Sequence, residues 1–315
     1  MNKKLIIDRN SPLNDFGGRV KKSRYLLFMI IPAIIYYVVF CYVPMYGILI
    51  AFKEYYPNSG IVGSPWAGGD GFGNFRFIFE SEEFWPVLRN TVLIGLGKII
   101  ISFISALLVA LLINEIRLRF FKKTVQTIVT FPHFLSWVIV GGLVGNIFGM
   151  TGIINNTIAA LGGERIRFMG NGSVFLSIIF GSDVWKEAGW SSIIYLATMA
   201  GISPELYEAA VCDGATRFQR LCHVTLPSIL PTITVMLILR VGSVMDAGFD
   251  QVFNLYNSAV YKTGDIIDTY VYREGLGDMK YSFSTAVGLF KNLIGFVLVV
   301  GTNAITKKIN GSGIW

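Results

Sequence analysis

Three ionisable residues and two tryptophans lie close together in an otherwise apolar segment, in the run SDVWKEAGW. The charges are Asp183, Lys186 and Glu187, and the indole rings belong to Trp185 and Trp190. Charged side chains inside a membrane are costly, so they usually pair with one another or face a water-filled cavity. Such a cavity could bind a polar solute through its charged groups and flat aromatic faces. The alternative is that these residues form ion pairs between helices or anchor the segment at the membrane interface.

The spacing of these charges decides which of them can pair on a helix. Residues three apart lie on the same face, so Asp183 and Lys186 could form an ion pair. Lys186 and Glu187 are adjacent and point about 100° apart, so they need not pair with each other. Further basic residues in or at the ends of apolar segments can be either structural or solute-binding; these are Lys98, Arg240 and Lys291.

No catalytic or metal-binding constellation occurs in the sequence. The run GLGKII lacks the upstream glycine and the hydroxyl residue of a phosphate-binding loop, and HExxH and GxSxG motifs are absent. The two histidines, His133 and His223, are far apart, and the three cysteines form no CxxC pair. A structural hydrogen-bonding role is expected for His133. The sequence therefore predicts no enzyme activity, no metal site and no cofactor in this chain, so a partner would have to supply energy for any work.

The composition predicts a helical protein with several membrane-spanning segments. Of the 315 residues, 53% are hydrophobic and only 15% are charged, whereas soluble domains have about 25% charged residues. A helix needs about 20 apolar residues to cross a bilayer. The first apolar run is followed by no small-residue cleavage site, so we interpret it as a retained span. Six segments qualify as spans: 25–50, 86–113, 124–148, 174–200, 228–245 and 283–305.

The distribution of Lys and Arg predicts the orientation of these spans. With the N-terminus inside, fifteen basic residues fall in cytoplasmic segments and eight in the longer outer loops. Basic residues concentrate on the cytoplasmic side of membrane proteins, so both termini are predicted to be cytoplasmic. The formal net charge of +7 comes mainly from residues that flank spans. That placement argues against a surface that binds nucleic acid.

A polar stretch, YEAAVCDGATRFQRLCHVTLP, lies between the fourth and fifth predicted spans, on the cytoplasmic side. Ser203, Pro204 and Glu205 are typical of a helix start, and Gly214 permits the positive φ that ends one. A second short helix can follow before Pro227. The pattern predicts a helix–turn–helix at the membrane surface. By itself it could be an ordinary amphipathic helix that rests on lipid headgroups.

The residues of this stretch closely resemble the signature loop of the permease subunits of bacterial ABC importers. That signature has Glu-Ala-Ala, three residues, Gly, nine residues, an aliphatic residue, any residue, and Leu-Pro. Every spacing is kept here, and Val224 in place of the usual isoleucine is a conservative departure. The matching residues are Glu208, Ala209, Ala210, Gly214, Val224, Leu226 and Pro227.

The resemblance implies an all-α, polytopic fold with six transmembrane helices and a cytoplasmic coupling helix that docks on an ATP-hydrolysing subunit. ATP and magnesium would then be bound by the partner ATPase and not by this chain. The implied organisation is a cytoplasmic tail 1–24, a first helix and outer loop 25–85, a permease core 86–305 with coupling loop 201–227, and a tail 306–315. The expected ATPase-coupling residues are Glu208, Ala209, Ala210, Asp213, Gly214, Leu226 and Pro227.

Three longer runs resemble more narrowly the polysaccharide and oligosaccharide branch of carbohydrate permeases. They are FPHFLSWVIVGGL, GFDQVFNLYNSAVYKTGDIIDTYVYREGL and KNLIGFVLVVGTNAITKKI. Such permeases sit in the bacterial cell membrane, and their partners are a second homologous permease, an ATPase dimer and an extracytoplasmic solute-binding protein. An oligosaccharide would be the solute, and the basic residues in the spans favour an acidic one that contains uronate.

Planar polar and aromatic side chains suit the binding of sugars, which places several residues along a possible translocation path. The candidates are Trp185, Lys186, Glu187, Trp190, Asp250, Gln251 and Asn292. Three other functions stay open at this stage: an ABC permease for another small solute, a stand-alone channel, and a membrane-embedded enzyme.

Overall fold

The computed structural model describes residues 24–310, apart from the side chains of Leu26, Ile309 and Asn310. Most of the predicted tail 1–24 and the final residues 311–315 lie outside the described part. Within it, the chain is helical, and the one contact of β type is an isolated bridge between Lys53 and Trp66. The prediction of an all-α fold is therefore confirmed.

The first apolar segment is a single exposed rod. Helix α1 covers Arg24–Tyr37 and continues through a π-helical stretch, Val38–Tyr42, to a 3₁₀ helix, Tyr46–Phe52. Nearly all of its apolar side chains are exposed, and only the Tyr46–Phe52 end packs against the C-terminal helix. In water this exposure would be unfavourable, so the rod must be covered by lipid or by another subunit.

The loop 51–85, which is predicted to lie on the outer side, is ordered by hydrogen bonds to its own backbone. The Lys53 ammonium group donates to the carbonyls of Val62 and Ser64, at 2.9 Å each. Asn74, on the short helix α2 (Gly73–Glu80), donates to the carbonyls of Ala51 and Lys53 at 2.9 and 3.0 Å. These bonds join the end of the first span to the loop.

Two long helices form the centre of the molecule: α3, Phe84–Glu115, and α7, Gly172–Ala200. They pack along each other more extensively than any other pair. Glycines allow the close approach, since a Cβ on Gly97 of α3 would lie 2.5 Å from the ring of Phe180. Small residues at such contacts are typical of membrane helix pairs.

The third predicted span is broken in two, so the interpretation of 124–148 as one helix is wrong. Helix α4 covers Arg119–Thr130, a 3₁₀ turn covers Phe131–Phe134, and α5 covers Trp137–Phe148. Pro132 lies inside the turn, where it has no backbone N–H to continue the helix. Ser136 then caps α5 by accepting a hydrogen bond from the amide of Ile139, at 3.3 Å.

Seven further helices, apart from other single turns and short 3₁₀ or π stretches, follow in order along the chain. They are α6, Ile153–Ala160; α8, Pro204–Cys212; α9, Arg217–Arg220; α10, Leu226–Gly242; α11, Phe249–Leu255; α12, Ile267–Tyr272; and α13, Tyr281–Asn310. Helix α8 begins at Pro204 and ends before Gly214, whose φ of +77° turns the chain. The predicted helix–turn–helix of the polar stretch is confirmed.

Five helices of the described chain have the length and apolar composition needed to cross a membrane. They are Leu27–Phe52, Phe84–Glu115, Trp137–Ala160, Arg217–Gly242 and Tyr281–Lys308. The predicted span 174–200 lies in α7, whose 29 residues are long enough to cross. Its composition is less apolar than that of the other five, because Asp183, Lys186 and Glu187 lie near its middle. The expected count of six is thus supported by apolar composition for five helices and by length for the sixth.

Candidate functional site

Three of the predicted solute-binding residues lie on one face of α7 together with Asp183. Asp183, Lys186, Glu187 and Trp190 follow the three- and four-residue spacing of a helix face. Asp183 and Lys186 are buried, although both are charged. This face meets the break between α4 and α5 on one side and α3 on the other.

Lys186 and Glu187 form an ion pair, which their adjacent positions in the sequence did not require. The Lys186 ammonium group lies 3.0 Å from Oε1 of Glu187 and donates to the carbonyl of His133 at 2.7 Å. His133 Nδ1 donates to the other carboxylate oxygen of Glu187 at 2.8 Å. The long lysine side chain bends toward the carbonyl at the helix break, which brings it back to the neighbouring carboxylate.

The helix break contributes both a backbone acceptor and an aromatic ring. Discontinuous membrane helices expose carbonyl groups where they line a cavity, and these groups often hold ions or polar partners. Here the ring of His133 also stacks on the indole of Trp190, with centroids 4.3 Å apart and planes 4° from parallel. His133, Lys186, Glu187 and Trp190 together are called the polar cluster below.

A cavity of about 350 Å³ opens beside the polar cluster. Arg240 of α10 enters it and donates to the hydroxyl of Ser191 at 2.7 Å. No ion pair of Arg240 forms within residues 24–310. The cavity therefore combines a carboxylate, an imidazole, an indole and an unpaired guanidinium. Its lining residues are Phe103, Ala106, His133, Glu187, Trp190, Ser191, Ile194, Tyr195, Met236 and Arg240.

A larger cavity, of about 550 Å³, lies between α5 and α7 but has almost no polar lining. Trp185 borders it together with apolar residues such as Val140 and Phe148. Trp185 therefore lies on a different face of α7 from the polar cluster. Because polar groups must fix the orientation of a polar solute, we consider the smaller cavity the better candidate.

Asp183 pairs with α3 rather than with Lys186. Its carboxylate accepts a hydrogen bond from Ser102 and lies 3.7 Å from the ammonium group of Lys98. Lys98 also donates to the carbonyl of Ala247 at 2.8 Å. That carbonyl belongs to a tight turn, because both Ala247 and Gly248 have positive φ. Lys98 thus joins α3, α7 and the turn after α10, which is a structural role.

The structure does not bring the other three predicted residues into the polar cluster. Gln251 is fully buried and donates to the carbonyl of Ile179 and the hydroxyl of Ser182, at 2.7 and 2.8 Å. Asp250 and Asn292 are exposed. Sequence reasoning assigned His133 a structural hydrogen-bonding role and left Arg240 open between a structural and a solute-binding role. No sequence spacing connects either residue to α7.

A second charged group surrounds the buried ammonium group of Lys291. The Lys291 ammonium group lies 2.7 Å from each carboxylate oxygen of Asp268 and 3.0 Å from the carboxylate of Asp246. Burial raises the pKa of the Asp268 carboxyl above its usual range, and the hydrogen bonds and charge of Lys291 oppose this shift. These contacts join α13 to the segment between α10 and α13.

The predicted coupling loop, residues 201–227, is called the coupling segment below. It presents small and charged groups at the surface. Glu208 and Ala209 on α8 are exposed, as are Asp213 and Gly214 in the turn. Thr216 accepts from the amide of Gln219 at 3.3 Å, while Gln219 accepts from the amide of Thr216 at 2.8 Å, which caps α9. The hydroxyls of Tyr207 and Thr225 lie 3.0 Å apart. This bond joins α8 to the residue that precedes α10.

Comparison with known proteins identifies the chain. Residues 98–311 match the family described as the binding-protein-dependent transport system inner membrane component. The chain belongs to this family. It is therefore a membrane-embedded permease component, and components of this kind are not enzymes.

Two relatives match this permease over nearly its whole length. Protein LplB of Bacillus subtilis (strain 168) is 43% identical over 94% of this chain and 92% of its own. The polygalacturonan/rhamnogalacturonan transport system permease protein YteP of the same organism is also 43% identical, over 93% of this chain and 91% of its own.

A solved structure shows that the permease fold is shared. The chain matches a subunit of a bacterial alginate ABC transporter in complex with alginate pentasaccharide-bound periplasmic protein. The TM-score is 0.86 with 38% identity, over 95% of this permease and 100% of that chain. The predicted permease fold is therefore confirmed, as is the membership of an importer family that depends on a binding protein.

Proposed function

We propose that this permease forms half of the translocation path of an ATP-driven importer for an oligosaccharide with acidic units. The observation that carries the proposal is the polar cluster beside a cavity that Arg240 lines, whose guanidinium forms no ion pair within residues 24–310. A flat stack of imidazole and indole suits a pyranose face, and a guanidinium suits a carboxylate.

The relatives support a uronate-containing solute. The name of the relative YteP refers to polygalacturonan and rhamnogalacturonan, and the structural neighbour is involved in the import of alginate, an acidic polysaccharide. The relatives also include permeases for neutral sugars, such as a lactose permease protein of Rhizobium radiobacter that is 30% identical over 58% of this chain. A neutral oligosaccharide or another small solute is therefore the second candidate.

The same proposal gives the coupling segment its role. Glu208, Ala209 and Gly214 would contact an ATPase dimer in the cytoplasm, where both termini of the chain would also lie. The ATPase would bind ATP and magnesium, and a second homologous permease would complete the path. A solute-binding protein would deliver the sugar on the outer side of the bacterial membrane.

The test is co-purification followed by uptake. The permease is purified alone and with the products of neighbouring genes, then reconstituted with the binding protein and a panel of neutral and acidic oligosaccharides. We expect assembly with an ATPase, and ATP-dependent uptake of the acidic members only. Solute flux through the permease alone would instead favour a channel, and chemical conversion of the solute by the permease alone would favour an enzyme. Uptake of neutral sugars only would overturn the acidic assignment.

A further inference from the structure

A small cavity lies where the ends of two candidate membrane spans meet. One span ends with α3 at Glu115, and the span that contains α10 begins at Arg217, whose guanidinium lies 4.0 Å from the Glu115 carboxylate. The cavity, of about 230 Å³, lies between the segment that follows α3 and the coupling segment. Because it lies at the ends of spans, it is at the depth of the lipid headgroups and not in the apolar core of the bilayer.

Three arginines line this cavity, which is called the arginine pocket below: Arg117, Arg217 and Arg220. Among the described residues of its lining, Glu115 is the one acid, and its contact with Arg217 joins two side chains that are half-exposed or more. Arg117 and Arg220 form no ion pair within residues 24–310. The lining therefore has an excess of two positive charges, which favours an anion as the occupant.

The arginine pocket also has hydrogen-bond donors that the chain does not use. The Nε atom of Arg220 is buried and has no hydrogen-bond partner in the described part of the chain, although buried polar atoms nearly always have one. The hydroxyls of Tyr207 and Thr225 line the same pocket, 3.0 Å apart. Since one of them donates to the other, the second hydroxyl can still donate to a ligand. A negative group with several acceptor oxygens would match both the charge and the donors.

The neighbouring surface indicates that such a group belongs to a lipid. Helix α4 begins two residues after Arg117, and its first turn exposes Phe120 and Phe121, at 86% and 54%. Basic side chains alternate with these rings, at Arg119 and Lys122. Exposed aromatic rings beside basic residues are typical of a helix at the membrane interface, where the rings reach the acyl chains. Basic pockets between membrane helices on the cytoplasmic side, which is the side predicted here, bind anionic headgroups.

We propose that the arginine pocket binds the phosphate group of an anionic phospholipid, and that this lipid joins the end of α3 to the coupling segment. The unesterified oxygens of a phosphodiester can accept from two guanidinium groups at once. Phosphatidylglycerol keeps the negative charge of its phosphate, whereas the ammonium group of phosphatidylcholine cancels it and would lie near the arginines. The pocket should therefore prefer phosphatidylglycerol, whatever solute the permease transports.

The experiment measures lipid binding to the full-length permease, purified with the subunits that accompany it. Native mass spectrometry gives the dissociation constants of phosphatidylglycerol and phosphatidylcholine for the wild type, Arg117→Gln and Arg117→Lys. The glutamine variant should bind phosphatidylglycerol about fivefold more weakly, the usual contribution of one basic residue near an anionic membrane surface, with phosphatidylcholine unchanged. The lysine variant keeps the charge and should stay close to the wild type. Because Arg117 is exposed, its replacement should leave the melting temperature in lipid-free detergent unchanged.

Arg119→Gln is the matched control, since it removes the same charge from an exposed position outside the arginine pocket. Equal losses of lipid affinity in the Arg117 and Arg119 variants would mean a general attraction of the basic surface, and would overturn the pocket. Phosphatidylglycerol should raise the melting temperature of the wild type, and inorganic phosphate should not. An equal rise with inorganic phosphate would assign the pocket to a soluble anion instead. Wild-type lipid affinity in Arg117→Gln, together with loss of an accompanying ATPase, would make the pocket a protein contact and also overturn the proposal.

Discussion

Glu187 holds together two groups that are far apart in sequence. One carboxylate oxygen accepts from His133 and the other from Lys186, while the ring of His133 stacks on Trp190. Lys186 is almost fully buried, so its charge depends on this carboxylate and on the carbonyl of His133. Breaking a buried pair leaves an uncompensated charge, which costs about 3–5 kcal/mol. The polar cluster is therefore sensitive to a change of charge at one atom.

The change Glu187→Gln tests this sensitivity. The amide keeps the size of the side chain but removes the negative charge, so Lys186 and His133 should reorient and uptake should fall about tenfold or more. Assembly with the ATPase should persist, because α8 is not touched. Glu164→Gln, at an exposed acid in an outer loop, is the matched control. Normal uptake by the Glu187 variant would remove this residue from the translocation path.

Helices in this permease approach one another through glycine. At Gly189 of α7, an added Cβ would lie 1.9 Å from the carbonyl oxygen of Val129 on α4, and at Gly95 of α3 it would lie 1.9 Å from the carbonyl of Val244. Backbone atoms cannot move aside as a side-chain end can. These two contacts hold the half-helix α4 and the turn after α10 against the central pair.

Replacement of Gly189 by alanine should therefore destabilise the permease. We expect a loss of about 1–3 kcal/mol, the usual cost of overpacking, seen as a lower melting temperature in detergent. Gly181→Ala on the same helix is the control, since a Cβ there meets nothing within 4 Å. Equal melting temperatures for both variants would mean that α4 and α7 are not in tight contact.

At the turn of the coupling segment, glycine is required by the backbone conformation of residue 214 and not by a lack of space around it. Gly214 has a φ of +77°, and a Cβ there meets no atom within 4 Å. Asparagine tolerates this region better than β-branched residues do. Gly214→Asn should therefore keep most ATPase coupling and Gly214→Val should lose it, as measured by sugar-stimulated ATP hydrolysis in the assembled importer. The order would be reversed or absent if side-chain volume at the ATPase contact were decisive.

The whole molecule is arranged for a membrane and for partners. Within residues 24–310, the first span packs on the rest of the chain mainly at its Tyr46–Phe52 end. Basic residues concentrate on the side of the coupling segment in the predicted orientation. In the proposed function, α8 would contact the ATPase on one side of the membrane and the loops of the other side would meet the arriving sugar.

Orientation can be measured with a native cysteine. Cys212 is exposed at the end of α8. In a Cys41→Ser, Cys222→Ser background, a membrane-impermeant thiol reagent should label Cys212 in inverted vesicles and not in intact spheroplasts. Labelling from the outside only would reverse the predicted topology. Prior assembly with the ATPase should protect the thiol, which tests the docking surface in the same sample.

The local features of this permease were readable from its sequence. Apolar length located the spans, and the helix that starts at Pro204 and turns at Gly214 followed from capping and positive-φ rules that involve neighbouring residues. The charges of α7 were found because they are unusual in an apolar run. The same apolar pattern concealed the break at Pro132, since hydropathy continues across Phe131–Phe134 although the helix does not.

Only the tertiary structure decided which groups meet. His133 and Glu187 are separated by 54 residues, and Ser102 and Asp183 by 81, so no spacing rule connects them. Their partners were set by how α4, α5 and α3 pack around α7, where each buried charge must find an opposite charge or a free carbonyl. The sequence by itself indicated a membrane permease and predicted a coupling helix, because those signals are local. The geometry of the polar cluster was decided by packing, because a buried charge can be paired only with groups that the fold brings to it.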